Sequence, residues 1–464
     1  MSIFGSFEIG RKALRAQQKG MDVSGQNVAN ANTPGYSRQR VDLAAVVPPA
    51  VAGVSMSPGN GVVVNDILRV RSEFYYTQLL NTTSHKAYWE MRRETFLGAE
   101  VIFMEPQEYG INQYLGDFFD TWNELSSSPE SMAVRMGLRE QAVSLASLSR
   151  DVYLRLQDLK INLQDELTMR VSEVNRLAGV LSELNDQARF VSALGQKSNE
   201  LLDQIDLALE ELSLLVDIRV NHKANGTVEV FAGGRLLVQE EHNFPIKLKY
   251  DQEVDRWQLV SYSGSPLALS SGRMFGLLDA VNKDIPSLQG ELDRIVENLV
   301  TEVNRIHRSG FGLDGETGND FFKEIADNGI PASLQFAVHD SILENAGLIA
   351  AASRADEPGN GENALAVARL RDARMDGLDG SSVIDYYRGF ISALGVEGRE
   401  SERMTQAYHT AESQLREKHL SIAGVSLDEE MLNMIQYQHA WNAAARYLSY
   451  VDQMLATLFH ELGR

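Results

Sequence analysis

Gly310-Phe311-Gly312-Leu313-Asp314-Gly315 matches G-x-G-x-x-G, a pattern that can cradle a dinucleotide pyrophosphate. That chemistry needs a strand before the glycines and a helix N-terminus after them, so that backbone N–H groups and the helix dipole face the phosphates. Here a helical pattern precedes the glycines and Asn319-Asp320-Phe321-Phe322 follows, so a structural loop is expected. Asp314, Glu316 and Asp320 offer the oxygen ligands calcium prefers, but they lack the EF-hand spacing and its closing acid. A turn with solvated carboxylates is expected instead. The nine histidines are scattered, with no H-E-x-x-H and no i, i+4 pair to put two ring nitrogens on one helix face. His439 and His460 read as solvated surface residues. Asp428-Glu429-Glu430 could act in proton transfer, yet they open a long helical pattern, where carboxylates complement the dipole. No G-x-S-x-G, phosphate-binding loop or Ser–His–Asp set occurs. Nothing here supports an enzyme, a cofactor or a metal.

The composition removes further classes. The chain has 464 residues, about three domains' worth, and no cysteine, so disulfides, thiolate metal sites and thiol nucleophiles are out. A net charge of −21 disfavours nucleic acid, whose phosphates need a cationic surface. Glu8, Arg11, Lys12, Arg15 and Lys19 break every apolar run near the N-terminus, so no secretory signal peptide is expected. No apolar stretch reaches the roughly 18 residues of a membrane span, and no membrane insertion is expected.

Periodicity then supplies the elements. Proline is absent from Pro129 to Pro245 and from Pro358 to the end, which permits long helices. Val134, Leu138, Leu145, Leu148, Val152, Leu156, Leu159, Leu163, Leu167, Val171, Val174, Leu181 and Leu184 recur at 3–4 spacing and predict one long helix of a bundle. A second helix fits 199–215. The period then changes to short alternating runs with Asn225-Gly226 between two of them, a hairpin signal. The fold expected is mainly α with a small inserted β-domain at 216–270. A helix is expected at about 286–308 with Pro286 in its first turn, and the run SLQFAV within 332–353 reads as a strand.

The two ends are amphipathic. Met434, Tyr437, Trp441, Ala444, Leu448, Val451, Leu455, Leu458 and Leu462 step by alternating 3 and 4 residues, a coiled-coil seam. Phe7, Leu14, Met21 and Val28 recur every seven residues, and Asn30, Asn32, Thr33, Pro34 and Gly35 end that helix. A lone seam does not bury enough apolar area to offset the entropy of ordering its residues. Either the ends pair or they order on assembly; packing as ordinary core helices is the alternative that periodicity leaves open.

Asn27 to Gln39 reads NVANANTPGYSRQ and resembles the N-terminal signature of the bacterial flagellar axial family of rod, hook and hook-associated proteins. GVSLDEEMLNMIQYQHAWNAAARYLSYVDQMLATL, from Gly424 to Leu458, narrows the resemblance to the hook-associated members. SNELLDQIDLALEELSLLVDIRV followed by NGTVEVFAGGRLLV, and VNRIHRSGFGLDGETGNDFF from Val303 to Phe322, resemble internal passages of the same members in collinear order. Trp441 and Tyr447-Leu448 depart from the expected Tyr and smaller aliphatics.

The resemblance implies paired terminal helices in an inner tube (1–70 with its linker, and 421–464), a helical bundle (71–215 and 271–420) and an outward β-domain. It implies export through the flagellar type III channel, uncleaved and largely unfolded, and assembly outside the cell. About eleven subunits would form a ring that joins the hook to the filament. The partners implied are the hook protein, hook-associated protein 3 and an export chaperone on the C-terminal region. The interface residues expected are Phe7, Leu14, Met21 and Val28 at one end, and Leu427, Met431, Met434, Trp441, Leu448, Val451, Leu455 and Leu458 at the other. Asn30 and Thr33-Pro34-Gly35-Tyr36 would set the turn out of the inner layer. A distal rod or hook subunit is the alternative within the class. A secreted enzyme such as a wall hydrolase on axial-type ends, with 216–270 as its catalytic part, is the alternative outside it.

Overall fold

The computed structural model describes residues 3–46, 59–103 and 110–462. The chain is mainly α. Its elements run α1 (Ile3–Ala29), β1 (Gln39–Ala45), β2 (Val62–Arg69), α2 (Glu73–Phe103), α3 (Ile111–Ser127), α4 (Met132–Ala193) and α5 (Asn199–Leu215). Strands β3 (Ile218–His222), β4 (Val228–Ala232), β5 (Arg235–Gln239), β6 (His242–Asn243), β7 (Lys247–Asp251) and β8 (Arg256–Val260) follow. The remaining helices are α6 (Arg273–Asp279), a π-helical turn (Ala280–Asp284), α7 (Ile285–His307), α8 (Ala332–Gln335), α9 (Asp340–Glu344), α10 (Glu362–Ala368), α11 (Val383–Ala423) and α12 (Leu427–Leu462). The chain divides into two compact units, one of residues 1–84, 175–245 and 408–464, the other of 85–174 and 246–407. α2, α4 and α11 contribute to both.

In the first unit α1 pairs with α12, and the antiparallel β1–β2 hairpin packs on α1. The part of the expected linker between 47 and 58 lies outside the described residues. Ser198 caps α5 by accepting from the Leu201 N–H at 3.4 Å. Next comes a four-stranded meander in the order β3-β4-β5-β6, turned at Asn225-Gly226 with Gly226 at φ +83°. Asn185 of α4 ties this sheet down: its amide donates to the Val228 and Glu240 carbonyls and its Oδ1 accepts from the Val228 N–H. Residues 216–270 thus carry two separate sheets, the β3–β6 meander here and the β7–β8 hairpin in the second unit. Asn282 grips that hairpin by both backbone groups of Trp257, each at 2.9 Å.

The predicted α4 stripe is real: Leu138, Leu145, Val152, Leu156, Leu163, Leu167, Val174 and Leu181 are buried. In the second unit α7 begins with Pro286 in its first turn and buries Leu292, Ile295, Leu299 and Val303. Phe118 of α3 meets Phe321 and Phe322 and Trp122 meets Phe321, while Phe322 in turn meets Phe336, with Phe321 and Phe322 edge to face at 4.8 Å. SLQFAV is not a strand. Pro331 starts the short helix α8, whose Ser333 N–H donates to Asp293, and only then does Phe336 turn into the aromatic cluster. Tertiary contacts override a weak β propensity there.

His307 ends α7 inside this cluster and is fully buried. Its Nδ1–H donates to the Asn319 carbonyl at 2.7 Å, while Nε2 accepts from the Ala350 N–H at 2.9 Å. One neutral tautomer satisfies both, and burial pushes the pKa down to about 4. The unfolded chain therefore binds a proton between the ordinary value of 6.5 and about 4 that the folded chain refuses. Stability from this group is intact above 6.5 and is lost as pH falls through that window, by up to about 3 kcal/mol. Urea midpoints followed by tryptophan fluorescence should fall more between pH 7 and 4.5 for the wild type than for His307→Gln. Equal falls would remove His307 as the cause.

Candidate assembly interface

The pairing of α1 with α12 rests on small residues. Placed on Gly10, a Cβ would meet Leu448 at 2.7 Å; on Gly20 it would meet the Tyr437 ring at 2.6 Å. Both large side chains therefore lie against bare α1 backbone. The buried positions of α1 are Gly10, Ala16, Gly20, Val23, Ser24 and Asn27. Phe7, Leu14, Met21 and Val28 lie about a third of a turn away at 100° per residue. Leu14, Met21 and Val28 are half-buried and Phe7 is 38% exposed. On α12 the seam faces inward over part of its length: Val451 is buried and Met434, Tyr437, Ala444, Leu448 and Leu455 are half-buried, whereas Trp441 lies at the edge and Leu458, expected in the seam, is exposed. The side chain of Leu462 lies outside those described.

The turn after α1 is fixed by side chains. Asn30 accepts from the Thr33 hydroxyl at 3.2 Å and its carbonyl from the Thr33 N–H at 2.9 Å; the Tyr36 N–H donates to the Thr33 carbonyl. Thr33, Pro34 and Gly35 are exposed, and Gly35 has φ +77°, which favours glycine. Asn27 is fully buried and spans the turn. Its Nδ2 donates to the Gln39 carbonyl, and its Oδ1 accepts from the Gln39 N–H and the Tyr36 hydroxyl, all at 2.9 Å. Burial, then Asp203, lift Tyr36 to about 12, so it stays a neutral donor.

Arg38 joins this turn to the start of α12. Its Nε donates to Glu430 at 2.7 Å and its Nη1 to Glu429 at 2.8 Å, while its backbone N–H bonds the last residue of α11, Ala423. The Glu430 side chain is only 2% exposed, so it needs that partner. The acids read as dipole partners at the head of α12 are thus also ion partners. Deeper in the same unit, Arg69 pairs with Asp203 and Asp206, and Arg71 with Asp206 and Glu73, tying β2 and the start of α2 to α5.

Elsewhere the motifs are structural. Gly310 packs against Asn363, Asp314 accepts from the Glu316 N–H at 3.0 Å, and Asp320 pairs with Arg308. Among the described residues no three His, Asp or Glu side chains converge to hold a metal, and no helix is long and apolar enough to cross a membrane.

Sequence reasoning missed Gly10, Gly20, Asn27 and Arg38. Glycines inside a long helix were the available signal, since each costs about 1 kcal/mol against alanine unless close packing offsets it.

Three family models match in collinear order. A flagella basal body rod protein model covers residues 7–36, a flagellar hook-associated protein FlgK helical domain covers 98–322, and a flagellar basal body rod FlgEFG protein C-terminal model covers 416–459. The outer two assign both helices of the interface to the flagellar axial class. Flagellar hook-associated protein 1 of Bacillus subtilis (strain 168) is 30% identical over 505 residues, covering 100% of this chain and 99% of that protein. Flagellar hook-associated protein 1 of Salmonella typhimurium is 27% identical over 322 residues, 67% of this chain and 57% of its own length. The flagellar hook junction protein FlgK from Burkholderia pseudomallei shares the fold, with a TM-score of 0.66 at 14% identity over 75% of this chain and 100% of that one. The chain belongs to the flagellar hook-associated protein 1 family, and its role is that of a structural component of the flagellum. The family is not one of enzymes.

Gly20 and Gly25 separate packing from propensity, because a Cβ on Gly25 meets nothing within 4 Å. Gly25→Ala should slow proteolysis of residues 1–33 slightly, whereas Gly20→Ala should speed it several-fold by displacing Tyr437. Equal effects at the two sites would refute the close-packing account.

Proposed function

We propose that this protein forms the ring at the hook tip that joins hook to filament, with the paired α1 and α12 in its inner layer. The observation that carries this reading is the exposed apolar surface of α12 outside its contact with α1. Beyond the seam, Leu427, Met431, Leu432, Ile435, Tyr450 and Met454 are exposed, Tyr450 by 63% and Met431 by 58%. An apolar surface of that extent on one helix marks a contact with another polypeptide. Phe4, 69% exposed, and Phe7 add to it from α1.

One face holding α1 and another free for neighbours is what a repeating, head-to-tail subunit needs. Such heterologous contacts close into rings or grow as helices, and a ring of about eleven copies is the expected product. The hook protein would lie below it and hook-associated protein 3 above. Before assembly the same face needs cover, which supports an export chaperone on the C-terminal region. Passage through the flagellar export channel suits a chain without cysteine, which cannot mispair as it moves from a reducing to an oxidising side. The role is mechanical and carries no catalytic step.

Replacing Tyr450 and Met454 together by serine tests this. These side chains are exposed, so the monomer should keep its helicity and still be exported. Electron microscopy should then show cells with completed hooks and no filaments, as it should for deletion of 434–464. Normal filaments on the double variant would overturn the reading.

A further inference from the structure

We propose that a cavity in the second unit, bounded by α2, α7 and α11, is a binding site for one organic cation on a short apolar stem, the side-chain chemistry of lysine or arginine. The cavity measures about 490 Å³. Buried Phe96, Leu288 and Leu394, with half-buried Phe390, supply its apolar surface. Four carboxylates line it, Asp284, Glu291, Asp385 and Glu397, against two cations, Arg92 and Lys283. A small apolar pocket with an excess of carboxylate selects a cation with a hydrocarbon stem.

Asp284 is the second, independent observation. Its side chain is 5% exposed, and Oδ2 has no hydrogen-bond partner. Its other oxygen receives only a long bond from Arg92 Nη2, at 3.3 Å, and that guanidinium is shared with Glu397 at the same distance. A buried carboxylate oxygen left unpaired is costly, and native structures rarely keep one without a use. Burial raises the Asp284 pKa despite Arg92 and Lys283, so a further positive group beside Oδ2 is favoured. Glu291 and Asp385 are each held by one hydroxyl, from Tyr386 and Ser382, and keep lone pairs to spare.

The backbone brings Asp284 there by an uncommon route. Residues 280–284 form a π-helical turn in which the Ile285 N–H bonds back five residues to Ala280. Such turns sacrifice regular geometry and recur at functional sites. This one leaves Lys283 exposed and Asp284 buried. The walls already accept guanidinium groups on their aromatic rings: Arg92 lies 5.0 Å from the Phe96 ring centre and Arg294 5.1 Å from that of Tyr386.

The test is equilibrium binding to the full chain by saturation-transfer NMR, with n-butylammonium and n-propylguanidinium as probes and 1-pentanol as a neutral alcohol of intermediate size. Both cations should bind saturably and at least tenfold more tightly than pentanol. Asp284→Asn should weaken them at least tenfold, and Glu397→Gln, an exposed position that does not threaten folding, by about three- to tenfold. Glu324→Gln removes a charge outside the cavity and should change nothing. N-acetyl-lysine N-methylamide identifies the source: binding equal to butylammonium assigns the site to a basic side chain, and loss of binding assigns it to a small free amine, cation recognition standing in both cases. Equal affinity for pentanol, indifference to both Asp284→Asn and Glu397→Gln, or absence of saturable binding would each overturn the proposal.

Discussion

Two glycines let α1 and α12 approach closely, and the first unit is organised around that approach. Gly10 and Gly20 give up helix propensity so that Leu448 and Tyr437 can lie on α1 backbone. Dispersion falls steeply with separation, so a seam with glycine on one side and large side chains on the other packs more closely than one of leucines throughout. Once the helices are paired, the chain leaving α1 must turn at once. Asn27 fixes that turn from inside, and Arg38 carries it to the carboxylates at the head of α12. Both ends of the chain are therefore locked to each other at the two ends of one short segment, residues 27–38.

Much of this is legible in the sequence. The proline-free stretches and the leucine stripe of α4 give its length, because a 3.6-residue period sustained over about fifty residues is the mark of a single continuous helix. The seam that the spacing runs from Met434 to Leu462 points inward as far as Leu455, with Trp441 at its edge, and Leu458 is exposed. The matching seam on α1 is less legible. Its large residues, Phe7, Leu14, Met21 and Val28, are not those most deeply buried. Close helix packing selects small side chains, and hydrophobic periodicity is blind to glycine. Arg38 and Glu430 are invisible for a different reason, being 392 positions apart in sequence. SLQFAV departs from its expected strand because a proline-started turn and one carboxylate, Asp293, outweigh β propensity over six residues.

Charge also reads differently with the structure in hand. The N-terminal helix carries an excess of base and the C-terminal helix an excess of acid. Glu429 and Glu430 find their partner in Arg38, beyond the end of α1, rather than along the seam. The helix pair itself is held by shape, and the ion pairs set where it stops. The exposed apolar surface of α12 outside that pair remains available to neighbours, which is consistent with a subunit whose ends serve assembly.

The terminal-helix pair turns on α12 being ordered by α1. Hydrogen–deuterium exchange, resolved by peptide, on the intact chain and on a variant lacking residues 3–29 measures that dependence. Protection across 434–455 should collapse in the variant while α7, residues 285–307, stays protected. Undiminished protection of 434–455 without α1 would show that α12 orders on its own.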